Sequence, residues 1–184
     1  LNPAPENSGI KFIRTDLNPK IEIPALSNFV SITDRGTTLK KDGEFIKTTE
    51  HLLAALFASS INNCEIEING AEIPIMDGSS KPFSDAILKA GIVQQSESQE
   101  VFVVQEVIQF TDDETGSEIL IIPSDDISFN VLIDFETKVL GTQNAILKTI
   151  KDFHKEIAPA RTFSFLHELE DLLDNGLILS LIHI

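Results

Sequence analysis

Thr48-Thr49-Glu50-His51-Leu52-Leu53-Ala54-Ala55-Leu56-Phe57, followed by Ser59-Ser60, reads as a helix whose apolar residues recur at helical spacing behind a threonine that caps its start. Cys64 to Asn69 comes next as a strand with Ile66 and Ile68 on one face, and Asn69-Gly70 turns it. Working back, Ile10 to Thr15 and Ile21 to Ile23 read as short strands. Thr33 to Lys41 reads as a strand and turn around Gly36, with Asp42-Gly43 as the next turn. Working forward, Met76-Asp77-Gly78-Ser79-Ser80 is a loop that feeds a second helix, with Pro82 near its first position, Gly91 past its end, and Ile87 and Leu88 facing the core.

Gln94 to Gln99 is polar and structureless, and a domain boundary is expected there. Beyond it, Val101 to Phe110 is a long strand pattern and Asp112 to Gly116 a turn. Glu118 to Ile122 and Ile127 to Phe135 are further strands, and Phe165, Leu166, Leu169, Leu172 and Leu173 recur at helical spacing before Gly176. Strands followed by helices thus occur twice. The expectation is an α+β protein of two similar units, each a small, mostly antiparallel sheet packed with two helices, with the second unit incomplete. The first domain would cover residues 1–98 and the second residues 99–184. Residues 179–184, Leu-Ser-Leu-Ile-His-Ile, form an apolar run with no evident packing partner. They are expected to be non-native, or else a core strand cut off before its partners. The chain does not begin with Met, so an incomplete N-terminus is expected, and the C-terminal run leads to the expectation that the natural protein continues past Gly176.

With 184 residues, 42% hydrophobic and 23% charged, the chain has an ordinary globular balance. Its net charge of -15 argues against nucleic acid as a partner, because an acidic surface repels phosphate backbones. Cys64 is the only cysteine, which rules out an intrachain disulfide and a Cys-rich zinc cluster; it reads as a buried strand residue. No apolar run is long enough to span a bilayer, and the first residues lack the features of a signal peptide. A cytoplasmic monomer with no stable membrane insertion is expected.

Glu50 beside His51 in the first turn of an apolar helix is an uncommon place for two titratable groups. A neutral imidazole can hold a metal ion, and an adjacent carboxylate can take a proton from metal-bound water. A Glu favoured by the helix dipole beside an exposed His would leave the same trace, and spacing alone favours that plainer reading.

Wider context changes the balance. Residues 48–56 with Ile61-Asn62-Asn63 resemble the metal-binding helix of the UDP-3-O-acyl-N-acetylglucosamine deacetylases, zinc enzymes of lipid A synthesis. Glu72-Ile73-Pro74-Ile75-Met76-Asp77-Gly78-Ser79 with Pro82-Phe83 resembles that family's following loop. Ala158-Pro159-Ala160-Arg161-Thr162-Phe163-Ser164-Phe165 resembles its second-domain signature, with Ser164 where Gly is usual, and Ile133-Asp134-Phe135 and Gly141-Thr142-Gln143 match further segments. The resemblance implies His51 as one of three ligands of Zn2+ and Glu50 as general base. It implies Thr162 as a hydrogen-bond donor to the oxyanion, and Phe163 and Phe165 as aromatics near the nucleotide sugar and the acyl passage. Phe163 and Phe165 could instead be core residues ahead of Leu166 and Leu169. The family's remaining zinc ligands lie in a His-Lys-x-x-Asp segment that this chain lacks, and His154, His167 and His183 fall outside the matching motifs, so the fragment is expected to be inactive. The implied substrate is a UDP-linked acylated amino sugar, hydrolysed at its N-acetyl amide. Two other readings stand beside it: a non-catalytic acyl or nucleotide-sugar binding module without metal, and a structural α+β domain in which Glu50 only helps to start a helix.

Overall fold

The computed structural model of the chain describes residues 1–165. The architecture is α+β, built of small, mostly antiparallel sheets with short helices. Two compact units divide it: Leu1–Ser96 together with the described residues from His154 onward, and Glu97–Phe153. The segment that carries Thr162 therefore groups with the first unit.

In the first unit, β1 (Asn2–Pro3), β2 (Ile10–Arg14), β3 (Ile21–Pro24) and β7 (Cys64–Ile68) form a sheet of order β1-β7-β2-β3. β2 pairs antiparallel with β3 and parallel with β7, and β1 pairs antiparallel with β7. The register sets Phe12 opposite both Ile23 and Ile66, and all three are buried. Because side chains alternate along a strand, Lys11 lies on the other face, where its Nζ reaches Glu22 and Glu65 at 3.1 Å each. A second, antiparallel sheet holds β4 (Val30–Ile32), β5 (Thr38–Lys41) and β6 (Glu44–Ile46). Asp42-Gly43 joins β5 to β6 with φ of 52° and 89°, the left-handed pair a two-residue hairpin requires.

Two helices complete this core: α1 (Glu50–Ala58) and α2 (Lys81–Ala90). Leu52, Ala55 and Leu56 of α1, at i, i+3 and i+4, join Phe12, Ile23, Leu39, Ile46, Cys64, Ile66, Ile73 and Ile87 in one cluster. Burial of Cys64 pushes its thiol above the ordinary range, so the residue is an inert strand position, as its sequence context suggests.

Three local expectations are corrected here. The expected threonine cap of α1 does not form. Thr49 has helical backbone angles, and its hydroxyl donates to the Thr37 carbonyl instead of accepting from the helix. Leu88 does not face the core with Ile87: one residue along a helix is a rotation of about 100°, which leaves Ile87 3% exposed and Leu88 55% exposed. The strand expected over Val101 to Phe110 forms only from Ile108, and residues 101–105 take no regular structure.

The second unit contains two antiparallel hairpins. β8 (Ile108–Thr111) pairs with β9 (Glu118–Ile121), and β10 (Phe129–Asp134) pairs with β11 (Thr142–Leu147). β11 has no counterpart in the sequence reading, since Thr142-Gln143-Asn144-Ala145 carries little strand preference. A single-turn helix, α3 (Phe153–Glu156), follows. The helix read from Phe165 to Gly176, apart from Phe165 itself, and the suspect residues 179–184 lie outside the described residues. No helix among the described residues is long and apolar enough to cross a membrane.

Candidate active site

The site is built at the start of α1. Glu50 is its first residue and His51 its second, and both are half-buried. Glu50 does not wave free in solvent. Its Oε2 accepts a hydrogen bond from the Thr37 backbone N–H at 2.7 Å. The Thr37 carbonyl in turn accepts from the Thr49 N–H at 3.2 Å and the Thr49 hydroxyl at 3.0 Å. The strand before the helix enters it through Thr48, whose φ of 58° is left-handed and whose hydroxyl donates to Glu72 at 2.8 Å.

The loop before α2 lies against the same helix start. The Ser80 hydroxyl donates to the His51 carbonyl at 2.9 Å. Asp77 shapes that loop: its Oδ1 accepts from the Ser79 hydroxyl at 2.7 Å and the Ser79 N–H at 3.1 Å. These bonds, with the Ser79 hydroxyl first, hold the Asp77 carboxyl below its ordinary range. Thr162 docks on this loop through its N–H, which donates to the Gly78 carbonyl at 2.8 Å. Gly78 has a φ of 83°, and a Cβ there would lie 3.3 Å from the Thr162 methyl group, so both backbone conformation and space favour glycine. Arg161 adds a bond from Nε to the Asp77 carbonyl at 2.8 Å. His154 fastens the same segment to α2, its Nδ1 2.8 Å from the Ser84 hydroxyl and its Nε2 3.4 Å from Asp85.

A chain of contacts therefore runs from His51 through Ser80 and Gly78 to Thr162, which joins residues more than a hundred positions apart in sequence. Phe163 and Phe165 continue from Thr162, their rings edge to face at 5.5 Å. Phe163 is 54% exposed and Phe165 is half-buried. Sequence reasoning passed over Thr37 and its neighbour Gly36, where a Cβ would lie 3.3 Å from Glu50 Oε1, although an isolated Gly in a strand pattern is a signal of close backbone approach. A zinc site needs about three protein ligands. Among the described residues no group of three or more His, Cys, Asp or Glu side chains could hold a metal ion, so His51 stands as a single candidate ligand and these residues do not by themselves make a zinc centre.

The fold and this arrangement define a class: an α+β protein with an anchored carboxylate beside a histidine at a helix start, and a threonine-bearing segment docked on the neighbouring loop. A family model described as UDP-3-O-acyl N-acetylglycosamine deacetylase matches residues 1–181, and the chain belongs to that family. It is 41% identical over 177 residues to the bifunctional enzyme LpxC/FabZ of Bacteroides thetaiotaomicron, a match covering 96% of this chain and 38% of that protein. Against the UDP-3-O-acyl-N-acetylglucosamine deacetylase of Myxococcus xanthus it is 40% identical over 178 residues, covering 96% of this chain and 56% of the other. The corresponding deacetylase of Syntrophotalea carbinolica is 41% identical over 180 residues, with coverage of 97% and 58%. The chain thus spans between 38% and 58% of the length of these three curated relatives.

Proposed function

We propose that the whole protein hydrolyses the N-acetyl amide of a UDP-linked, 3-O-acylated glucosamine, an early step of lipid A synthesis, as a zinc-dependent, monomeric, cytoplasmic enzyme. The observation that carries this reading is the Glu50 carboxylate, fixed at 2.7 Å on the Thr37 amide and adjacent to His51, in a chain of the deacetylase family. Zn2+, when bound, would lower the pKa of a water molecule and polarise the amide carbonyl. His51 would be one of its ligands, with the others outside the described residues.

Glu50 accepts a proton from the attacking water. Thr162, an exposed residue on its docked segment, donates a hydrogen bond from its hydroxyl to the oxyanion that develops on the carbonyl. Phe163 and Phe165 offer apolar ring surface to the nucleotide sugar and acyl chain. In this reading residues 1–98 supply the base and one metal ligand, and residues 99–184 supply Thr162 and the aromatics, with the Thr162 segment belonging to the same compact unit as Glu50. The 184-residue chain taken alone is inactive, because one imidazole does not hold the ion against water.

In the full-length protein, Glu50→Ala should lower the rate by about 10²–10⁴-fold, the usual share of a general base, while zinc content measured by metal analysis stays at wild-type level. Loss of metal together with activity would make Glu50 a ligand or a fold element instead. A full-length protein that binds the UDP-sugar but holds no metal would favour the binding-module reading.

A further inference from the structure

We infer that the Gly36-Thr37 loop is a positioning device for the Glu50 carboxylate, so that Gly36 and the Thr37 amide govern the rate without touching substrate. The inference rests on the reading of Glu50 as general base. Both backbone groups of Thr37 are spent on the start of α1: its N–H donates to Glu50 Oε2 at 2.7 Å, and its carbonyl accepts from the Thr49 N–H and hydroxyl. Thr49 is fully buried, so this clamp is shielded from water on the Thr49 side. It fixes the loop relative to the helix and fixes one carboxylate oxygen relative to the loop. Oε1 is then the oxygen that takes the proton.

Gly36 supplies the room. Its φ is not left-handed, so backbone conformation does not explain glycine at this position. A Cβ there would stand 3.3 Å from Glu50 Oε1 and 3.7 Å from Oε2. Those distances are tight, and the flexible partner that must yield is the carboxylate itself. Alanine at this site would push Oε1 aside by a few tenths of an ångström while leaving the surrounding packing alone. A general base works only within a narrow geometry, and a displacement of about 1 Å already costs roughly 10²-fold.

The test uses the full-length protein. Gly36→Ala should lower kcat about tenfold with KM within about twofold, and should leave the thermal midpoint in place. Gly70→Ala is the control, since a Cβ there meets nothing within 4 Å; its kcat should match wild type. In a Glu50→Ala background, Gly36→Ala should cause no further loss, because its effect passes through the missing carboxylate. Hydrogen exchange at the Thr37 amide gives a readout free of activity: Glu50→Gln keeps the acceptor and the protection, whereas Glu50→Ala should speed exchange about tenfold or more. Wild-type kcat in Gly36→Ala, an equal loss in the Glu50→Ala background, or unaltered Thr37 exchange in Glu50→Ala would each overturn the inference. If Gly36→Ala disturbs folding, the exchange measurement in the Glu50 variants still decides. An active Glu50→Ala protein would instead sink the general-base reading, a result distinct from an inactive Glu50→Ala beside a normal Gly36→Ala.

Discussion

Arg14 is a charged side chain in a buried strand, and its partners explain how the fold tolerates it. Nε and Nη2 donate to the two oxygens of Asp16 at 2.8 and 2.7 Å, and Nη1 donates to the Phe45 carbonyl at 2.9 Å, tying β2 to β6. The fork geometry of guanidinium suits a carboxylate, which a lysine would meet at one point only. The bonds from Arg14 hold the Asp16 carboxyl below its ordinary value. A carboxyl depressed in the folded state binds fewer protons there than in the unfolded chain. Its contribution is therefore complete above the unfolded pKa and lost as pH falls through the folded one. Asp16→Asn should accordingly be less stable than wild type at neutral pH, and the gap should close as the pH drops below the usual carboxylate range. Urea unfolding of both proteins across that range checks this; a gap independent of pH would mean the carboxylate charge contributes nothing. The same habit of pairing recurs at Glu50, whose carboxylate is also met by a fixed donor rather than left to solvent.

At the scale of elements, α2 shows how much one position along a helix matters. Ile87 sits in the core cluster and its neighbour Leu88 faces water. Ile87→Ala should cost about 2–5 kcal/mol, the range for a buried aliphatic truncated to alanine. Leu88→Ala should fall within about 0.5 kcal/mol of wild type. Thermal or denaturant unfolding of the two variants separates them, and equal losses would show that α2 is rotated from this placement. The contrast also marks what a sequence can carry. α1, β7 and the Asp42-Gly43 hairpin were legible because their signals are local: helical spacing of Leu52, Ala55 and Leu56, alternation through Ile66 and Ile68, and a turn pair suited to positive φ. The facing of Leu88 was not legible, because two adjacent apolar residues fit either rotation of the helix until a partner sheet chooses. Residues 101–105 carry strand-forming side chains but take up no ladder, and β11 forms from weak strand formers because β10 lies beside it. For the site, Glu50 and His51 stood out by their place before an apolar run. The role of Thr37 did not, since it uses backbone atoms that no residue identity reveals.

On the scale of the whole molecule, the two compact units differ in what shields their backbone bonds. In the first, the ladder joining β2 to β3 and β7 is backed by Phe12, Ile23 and Ile66, all buried, and by the helices α1 and α2. In the second, every residue of β8, β9 and β10 is exposed, and β11 buries only Leu147. A two-stranded hairpin without an apolar face to cover it is marginal in water, and local opening needs little free energy where few buried contacts must break. Amide exchange should report this directly. In the 184-residue chain at neutral pH, the hydrogen-bonded amides of β2 and β7 should exchange at least about a hundredfold more slowly than those of β8 to β11. Within the first unit, amides beside Phe12 and Ile66 should approach the protection set by global unfolding. Comparable protection in both units would mean that the hairpin faces are covered in solution. Leu132 and Phe110, both now open to water, would then have to be buried against something, and the open faces described for β8 and β10 would be wrong.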